Sequence, residues 1–368
     1  MGRIVNVAVV GYGGMGGWHT RRLQEIPEVH LAGVYDILPE RNQAAEEVGI
    51  HAYSSYEELL ADPNVDVVTV AIPNDAHKDV CIQAMEAGKL VISEKPVTTS
   101  SAILEEMIAA SERTGSVFTV HQNRRWDEDF RVAEKIAKSG DLGRVFSIQS
   151  RVHGSRGIPG DWRNTKEHGG GMVLDWGVHL LDQMNMMMGK MPKTVYATLS
   201  NVTNEEVDDG FTATFTFDEG LVFTVEVGTS NFINLPRWYI QGLNGTAQID
   251  DFAVNGKIVV ATSDEKHDAV PIITAAGLTK TMAPRTDDTI KEMPLPRIDC
   301  DIHDYYRNIA KVVNGEEKPI VTLDQQREVM RLMEAIFESA EKERGCRLLK
   351  WKKKKARGGR KAPRGLFL

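Results

Sequence analysis

Asp175 and His179 stand four residues apart in a segment whose apolar spacing reads as helix, so both side chains leave the same face. A carboxylate beside an imidazole can manage a proton: the ring titrates near neutrality, and the acid can orient it or hold a hydroxyl of a bound molecule. Removing a hydride from a secondary alcohol requires the hydroxyl proton to leave as well. His179 is the candidate acceptor, and the donor in the reverse direction, with Asp175 binding substrate and tuning the ring. Asp182, three positions further along that face, reads as a surface or supporting carboxylate. Lys95 is the third candidate. It stands between Glu94 and Pro96, just past the predicted strand Leu90–Ser93, at the carboxyl end where open α/β sheets bind ligands. An ammonium there stabilises alkoxide character and lowers the pKa of a neighbour.

A second constellation is Gly11-x-Gly13-x-x-Gly16, between a predicted strand, Ile4–Val10, and a predicted helix, Trp18–Ile26. Three glycines in six residues mean little alone, but the strand–turn–helix setting gives each a task. Gly11 permits the tight turn, Gly13 lets the backbone approach a pyrophosphate, and Gly16 lets helix and strand pack closely. Free amides at the helix start then face the anion, with Tyr12, Gly14 and Met15 completing the loop. Asp36 closes the next strand, His30–Asp36, where a carboxylate accepts bonds from both ribose hydroxyls and repels a 2′-phosphate. That favours NAD. Arg41 lies near enough to keep NADP open.

These residues need a scaffold. After Asp36 the pattern continues as helix Pro39–Val48, short helix Tyr56–Ala61, strand Val65–Ile72, helix Ala76–Ala87, strand Leu90–Ser93, helix Ser100–Thr114 and strand Val117–Val120. Such alternation implies right-handed βαβ units and an open parallel sheet. Beyond a helix at Arg131–Lys138 and a strand at Gly143–Val152, a helix is predicted over Gly171–Met188, with Met184, Met186, Met187 and Met188 as core filler. Alternating runs then predict hairpins around Asp218-Glu219-Gly220 and Gly242–Gly245, hence a mostly antiparallel open sheet. Residues 262–296 read as a long irregular loop. Helices Asp301–Val313 and Leu323–Arg344 close the chain, and a basic tail after Lys350 reads as disordered. The division is 1–123 for a Rossmann domain, 124–349 for an α+β substrate and oligomerisation domain, and 350–368 for the tail.

At 368 residues the chain is long enough for two cores. Its net charge is −8, although Lys350 onward holds nine basic residues and no acid. The acidic body argues against nucleic acid as a partner. No apolar run is long enough to span a bilayer, and no signal-peptide segment precedes the first strand. Three scattered cysteines fit a reducing compartment, and a cytoplasmic protein is expected. The ten histidines show neither HxxxH nor HExxH spacing, so no metal is implied.

Four stretches jointly resemble the family of glucose-fructose oxidoreductase, inositol dehydrogenase and the rhizopine-catabolism dehydrogenases (Gfo/Idh/MocA). They are the glycine loop; Ala71-Ile72-Pro73-Asn74-Asp75-Ala76-His77; Glu94-Lys95-Pro96; and Gly169 to Asp182. The resemblance runs from about Arg3 to Gly345. It implies hydride transfer between NAD(P) and a secondary hydroxyl carbon of a sugar, glycoside or inositol. It also implies a homo-oligomer, dimer or tetramer, built through the second sheet. It places Lys95 beside the nicotinamide, and puts Ile72, Pro73, Asn74, His77 and Glu94 along the cofactor, with Gln122 and Asn123 as further contacts. His77 can equally be a surface histidine at a helix start. Arg125 and Trp126 are candidates for the substrate cleft or for a salt-bridged surface, and Trp162 and Arg163 for sugar contacts or loop packing. The glycine triplet Gly169–Gly171 is expected to bring backbone close to cofactor or substrate. Two other readings fit the same scaffold: an enzyme that retains NAD and cleaves glycosides through transient oxidation, and a non-catalytic NAD/sugar sensor.

Overall fold

Val5–Val10 carries no polar alternation because it has no solvent face: five of its six residues are buried. In the computed structural model, which describes residues 2–263, 272–279 and 285–348, this run is β1. With β2 (Val29–Tyr35), β3 (Val67–Val70), β4 (Leu90–Ser93) and β5 (Phe118–Val120) it forms a five-stranded sheet in the order β2-β1-β3-β4-β5. All four pairings are parallel. The crossovers are α1 (Gly14–Leu23), α2 (Pro39–Glu47) with α3 (Tyr56–Ala61), α4 (His77–Glu86) and α5 (Ser101–Thr114). The chain runs outward from β1 to β2, then back past β1 to β3. The crevice at that reversal, at the carboxyl ends of β1 and β3, is where such sheets take ligands. α1 begins at Gly14, four residues before the expected Trp18, because glycines carry no apolar periodicity to reveal a helix.

After α6 (Glu128–Ser139) the second sheet contains β6 (Val145–His153), β7 (Thr194–Ser200), β8 (Gly210–Thr216), β9 (Val222–Gly228), β10 (Trp238–Gly242), β11 (Gly245–Ile249) and β12 (Gly256–Ala261). A small hairpin of β13 (Ile272–Thr274) and β14 (Gly277–Thr279) stands apart. β15 (Ile290–Met293) and β16 (Cys346–Arg347) complete nine strands ordered β15-β12-β11-β10-β6-β9-β8-β7-β16. Only β6 and β9 pair in parallel. Both expected hairpins form, with Thr216 opposite Val222 and Gln241 opposite Thr246. The irregular loop expected over 262–296 is corrected: it holds β13, β14 and β15, each too short to declare an alternation. The tail from residue 349 lies outside the described residues.

The helix expected over Gly171–Met188 divides in two. Val173–Gly177 forms a π-helical turn, and α7 (Val178–Met188) follows. Two helices close the fold. α8 (Asp304–Val313) returns to the first sheet, where the Tyr306 hydroxyl lies 3.2 Å from Thr69 Oγ1. α9 (Leu323–Lys342) starts in a Thr322–Gln325 capping box and lies against both parts of the molecule. Arg327 pairs with Glu105 of α5 at 2.7 Å, and Ser339 Oγ accepts the Ala197 amide of β7 at 3.0 Å. Among the described residues no helix is long and apolar enough to cross a membrane.

Candidate active site

The glycines of the first loop separate by what a side chain would meet. A Cβ on Gly11 (φ 92°) would lie 2.3 Å from the Ala71 carbonyl oxygen, and one on Gly16 would lie 1.8 Å from that of Gly11. The protein itself needs those two. A Cβ on Gly13 would meet only the Arg41 guanidinium, at 3.4 Å, and one on Gly14 nothing within 4 Å. Bare backbone over open space at the start of α1 fits a dinucleotide pyrophosphate. Asp36, 4% exposed, accepts the Tyr12 amide at 2.7 Å and the Leu38 amide at 2.9 Å, while Arg41 Nη1 lies 3.1 Å from its Oδ2. Met15 is partly buried in the first turn of α1.

Beyond β3, Ile72 packs beside Gly11 and Pro73 is exposed at the crevice edge. Two neighbours turn inward. Asn74 is buried and its Nδ2 donates to the Gly169 carbonyl at 3.1 Å, clasping the two halves of the chain. His77 is fully buried, with Nε2 2.9 Å from the Ile72 carbonyl and Nδ1 3.2 Å from those of Pro96 and Val97. Burial lowers its pKa, so it is a neutral tie between the segments after β3 and β4, not the surface histidine of the alternative reading.

Lys95, Asp175 and Arg163 come together across 80 residues of sequence. Lys95 Nζ donates to Asp175 Oδ1 at 3.0 Å and to the Asp175 carbonyl at 3.2 Å. Arg163 Nε reaches Asp175 Oδ2 at 3.2 Å, and its Nη1 pairs with Asp161 at 2.7 Å. Asp175 sits inside the π-helical turn, a feature that recurs at functional sites. Burial works to raise its carboxyl, but Lys95 and Arg163 outweigh that and hold it below its ordinary value. His179 is pushed well below the usual imidazole range, first by burial and then by Lys95 and Arg124. Its Nδ1 is buried without a partner. The ring is therefore neutral at physiological pH and able to accept a proton. Trp162 lies under the Arg163 guanidinium, 4.5 Å from ring centre to Cζ.

The glycine triplet is required by protein contacts. Cβ atoms on Gly169, Gly170 and Gly171 would collide with Thr99, the Arg163 carbonyl and Asp208 Oδ1. Asp208 Oδ2 accepts the Val173 amide at 2.8 Å, fixing the start of the π turn, and burial pushes this carboxyl up to about 7.

Glu94 is corrected too, since its carboxylate faces inward. Oε1 accepts from His19 Nε2 and His121 Nδ1, both at 2.8 Å, and Oε2 accepts the Lys95 amide at 3.0 Å. Beyond His19 the line continues to the Tyr306 hydroxyl at 2.7 Å. Burial opposes the charge, yet the two histidines keep Glu94 well below its ordinary range. Donor atoms of His19, Glu94 and His121 fall within 4.8 Å of one another, which makes them a metal-capable trio. His19 Nε2 and His121 Nδ1 already stand at hydrogen-bond distance from the same Glu94 oxygen, so protons account for the spacing. Sequence reading passed over His19 and His121 in this role, although His19 follows Gly16 by three on the inner face of α1.

The segment after β5 is unusually rich in buried polar atoms without partners: His121 Nε2, Gln122 Oε1, Asn123 Oδ1 and Arg124 Nε. They lie at the carboxyl edge of the sheet, where a bound molecule could supply the missing bonds. Of the two readings of Arg125 the structure shows the ion pair, though buried rather than at the surface: the residue is 4% exposed and grips Asp182 with two bonds of 2.7 and 2.6 Å. Trp126 packs edge-on against Tyr305, ring centres 5.9 Å apart.

Comparison with known proteins agrees with this geometry. Residues 5–122 match a profile described as an oxidoreductase family with an NAD-binding Rossmann fold, and residues 130–248 match the Gfo/Idh/MocA C-terminal domain. An NAD-binding protein from Listeria innocua of known structure is 45% identical, with a TM-score of 0.90 over 94% of this chain and 100% of that one. The scyllo-inositol 2-dehydrogenase (NADP(+)) IolW of Bacillus subtilis is 27% identical over 92% of this chain and 95% of its own length. An uncharacterized oxidoreductase of Schizosaccharomyces pombe is 36% identical over 44% of this chain, and the match spans only 45% of that relative.

Proposed function

The chain belongs to the Gfo/Idh/MocA oxidoreductase family, and on that premise we propose that it is an NAD-dependent dehydrogenase of a cyclic polyol, a sugar, glycoside or inositol, oxidised at one secondary hydroxyl. The observation that carries this reading is the junction of Lys95 with Asp175 at 3.0 Å, a cation just past β4 and an anion in the π-helical turn, with a neutral His179 four residues further on.

When bound, NAD supplies the hydride acceptor for the carbon that bears the hydroxyl. Gly13 and Gly14 leave room for its pyrophosphate, Asp36 receives the ribose hydroxyls, and Gln122 and Asn123 offer their unpartnered oxygens at the inner end of the crevice. The commitment of Arg41 to Asp36 supports NAD over NADP. At the reacting end Asp175 and Arg163 orient substrate hydroxyls, and Trp162 supplies an apolar flank. His179 takes the hydroxyl proton as the C–H bond breaks, and Lys95 stabilises the oxygen while it carries negative charge. In reduction the same two groups act in reverse.

We also assign self-association to the outer face of the second sheet, where exposed Tyr196, Thr198 and Thr212 alternate with buried core residues.

The test is a panel of inositols, aldoses and glucosides, each with NAD and NADP, followed at 340 nm. His179→Ala should abolish turnover while cofactor affinity stays largely intact. Retention of most activity by that variant would refute the acid–base assignment.

A further inference from the structure

Trp176, one residue beyond Asp175, sets its ring edge-on to His179 with centres 5.8 Å apart. Phe252 follows at 6.2 Å from Trp176, although it belongs to the loop between β11 and β12, far along the chain. Phe252 is 45% exposed, a large apolar ring held in water beside Trp176. Two guanidinium groups lie over these rings. Arg124 lies 4.2 Å from the centre of Trp176 and 5.6 Å from that of Phe252, and Arg237 lies 5.1 Å from Phe252. Neither cation is loose: Arg124 pairs with Asp127 at 2.9 Å, and buried Arg237 donates to Ser150 Oγ at 2.7 Å.

The loop is built to keep Phe252 there. Asp251 accepts the amides of Ala253 and Asn255 and the Asn255 side chain, at 3.0, 3.2 and 2.7 Å. Val254 takes φ 60°, a left-handed conformation that a β-branched residue adopts only when its surroundings impose it. A strained, tightly bonded loop that holds an exposed phenyl beside Trp176, itself in ring contact with His179, is better explained by a ligand than by packing.

We propose that Trp176 and Phe252 form a second subsite, and that the substrate is a glycoside. This rests on the dehydrogenase reading above and narrows its substrate class. The reacting sugar is held by Lys95, Asp175 and His179, and the aglycone or neighbouring sugar lies with its C–H face on the two aromatic rings. Trp176 is the ring in contact with His179, and Phe252 is centred 6.2 Å from Trp176, so a molecule of two rings is the one that covers both. Aromatic walls with a few fixed polar groups are the usual lining of such sites.

The experiment compares free hexoses and inositols with phenyl glucoside and cellobiose, each with NAD, for wild type, Phe252→Ala and Phe252→Tyr. Wild type should prefer the glycosides in kcat/KM. Phe252→Ala should lower the ratio of glycoside to single-ring efficiency about tenfold, through KM, and Phe252→Tyr should restore it. An equal loss on both classes, or none, overturns the subsite. If wild type turns over no polyol, the dehydrogenase reading falls separately, and tryptophan fluorescence of NAD-loaded protein decides the subsite. A cellobiose-induced change absent from Phe252→Ala supports it, and no change in wild type sinks it.

Discussion

Replacing Lys95 by Met keeps most of the stem and deletes the ammonium. The side chain is 12% exposed and its Nζ touches Asp175 twice, so the charge acts in a site largely shielded from water. Loss of one donor aimed at a developing oxyanion costs about 10²–10³ in turnover, and kcat should fall by that factor. Asp175 keeps Arg163 at 3.2 Å. The fold should therefore lose only about 1–2 kcal/mol, less than the 3–5 kcal/mol typical when a buried ion has no other partner. NAD affinity by calorimetry should stay within about threefold, because the glycine loop and Asp36 are untouched. The pH profile supplies an independent check. In wild type, burial and Lys95 depress His179, so the ring loses its base function only well into acid. Without Lys95 its pKa climbs, and the acid limb of kcat/KM should move to higher pH. A limb that stays put or moves down, or a variant with more than a tenth of wild-type activity, would refute the reasoning.

Three further outcomes follow from the same contacts. Gly16→Ala should unfold several degrees lower, because its methyl would meet the Gly11 carbonyl, whereas Gly13→Ala should melt almost as wild type but bind NAD at least about tenfold more weakly; thermal unfolding with and without NAD separates the two. Asp36→Asn should keep an acceptor for the Tyr12 amide, release Arg41 and raise the NADPH-to-NADH efficiency ratio about tenfold or more; an unchanged ratio would show that Asp36 does not select the cofactor. Asp182→Ala should destabilise by about 3–5 kcal/mol in denaturant titration, because Arg125 is left buried with its main partner gone; a loss under 1 kcal/mol would mean that water reaches Arg125.

The parallel sheet was legible because buried strands such as Val5–Val10 are apolar throughout and helices separate them. The glycine loop was legible because its spacing carries a mechanism. Lys95 and Asp175 emerged only as motifs, since nothing local says that residues 80 apart will touch. The π turn was hidden because a four-residue spacing looks the same in either helix type, and glycines masked the true start of α1. Polar residues misled most. Arg125, His77, Asn74 and Glu94 have the chemistry of ligand contacts, yet each is consumed by a buried partner that only the fold reveals. Phe252 gave no signal at all, because its neighbours along the chain are unrelated to its neighbours in space.

The hydrogen-bonded line from Thr69 through Tyr306, His19 and Glu94 to the Lys95 amide has a consequence for anyone who wishes to recombine this protein. Its second member, Tyr306, comes from α8, nearly two hundred residues after the first sheet is complete. A nucleotide-binding half cut out near residue 123, or grafted onto a relative's second half, would leave His19 reaching for a hydroxyl that is no longer there. The Glu94 carboxylate, which holds the Lys95 amide, would then lose part of its support. The NAD-binding match over residues 5–122 is contiguous in sequence, but this line of bonds is completed only from α8, and exchangeable parts that keep it carry α8 with them.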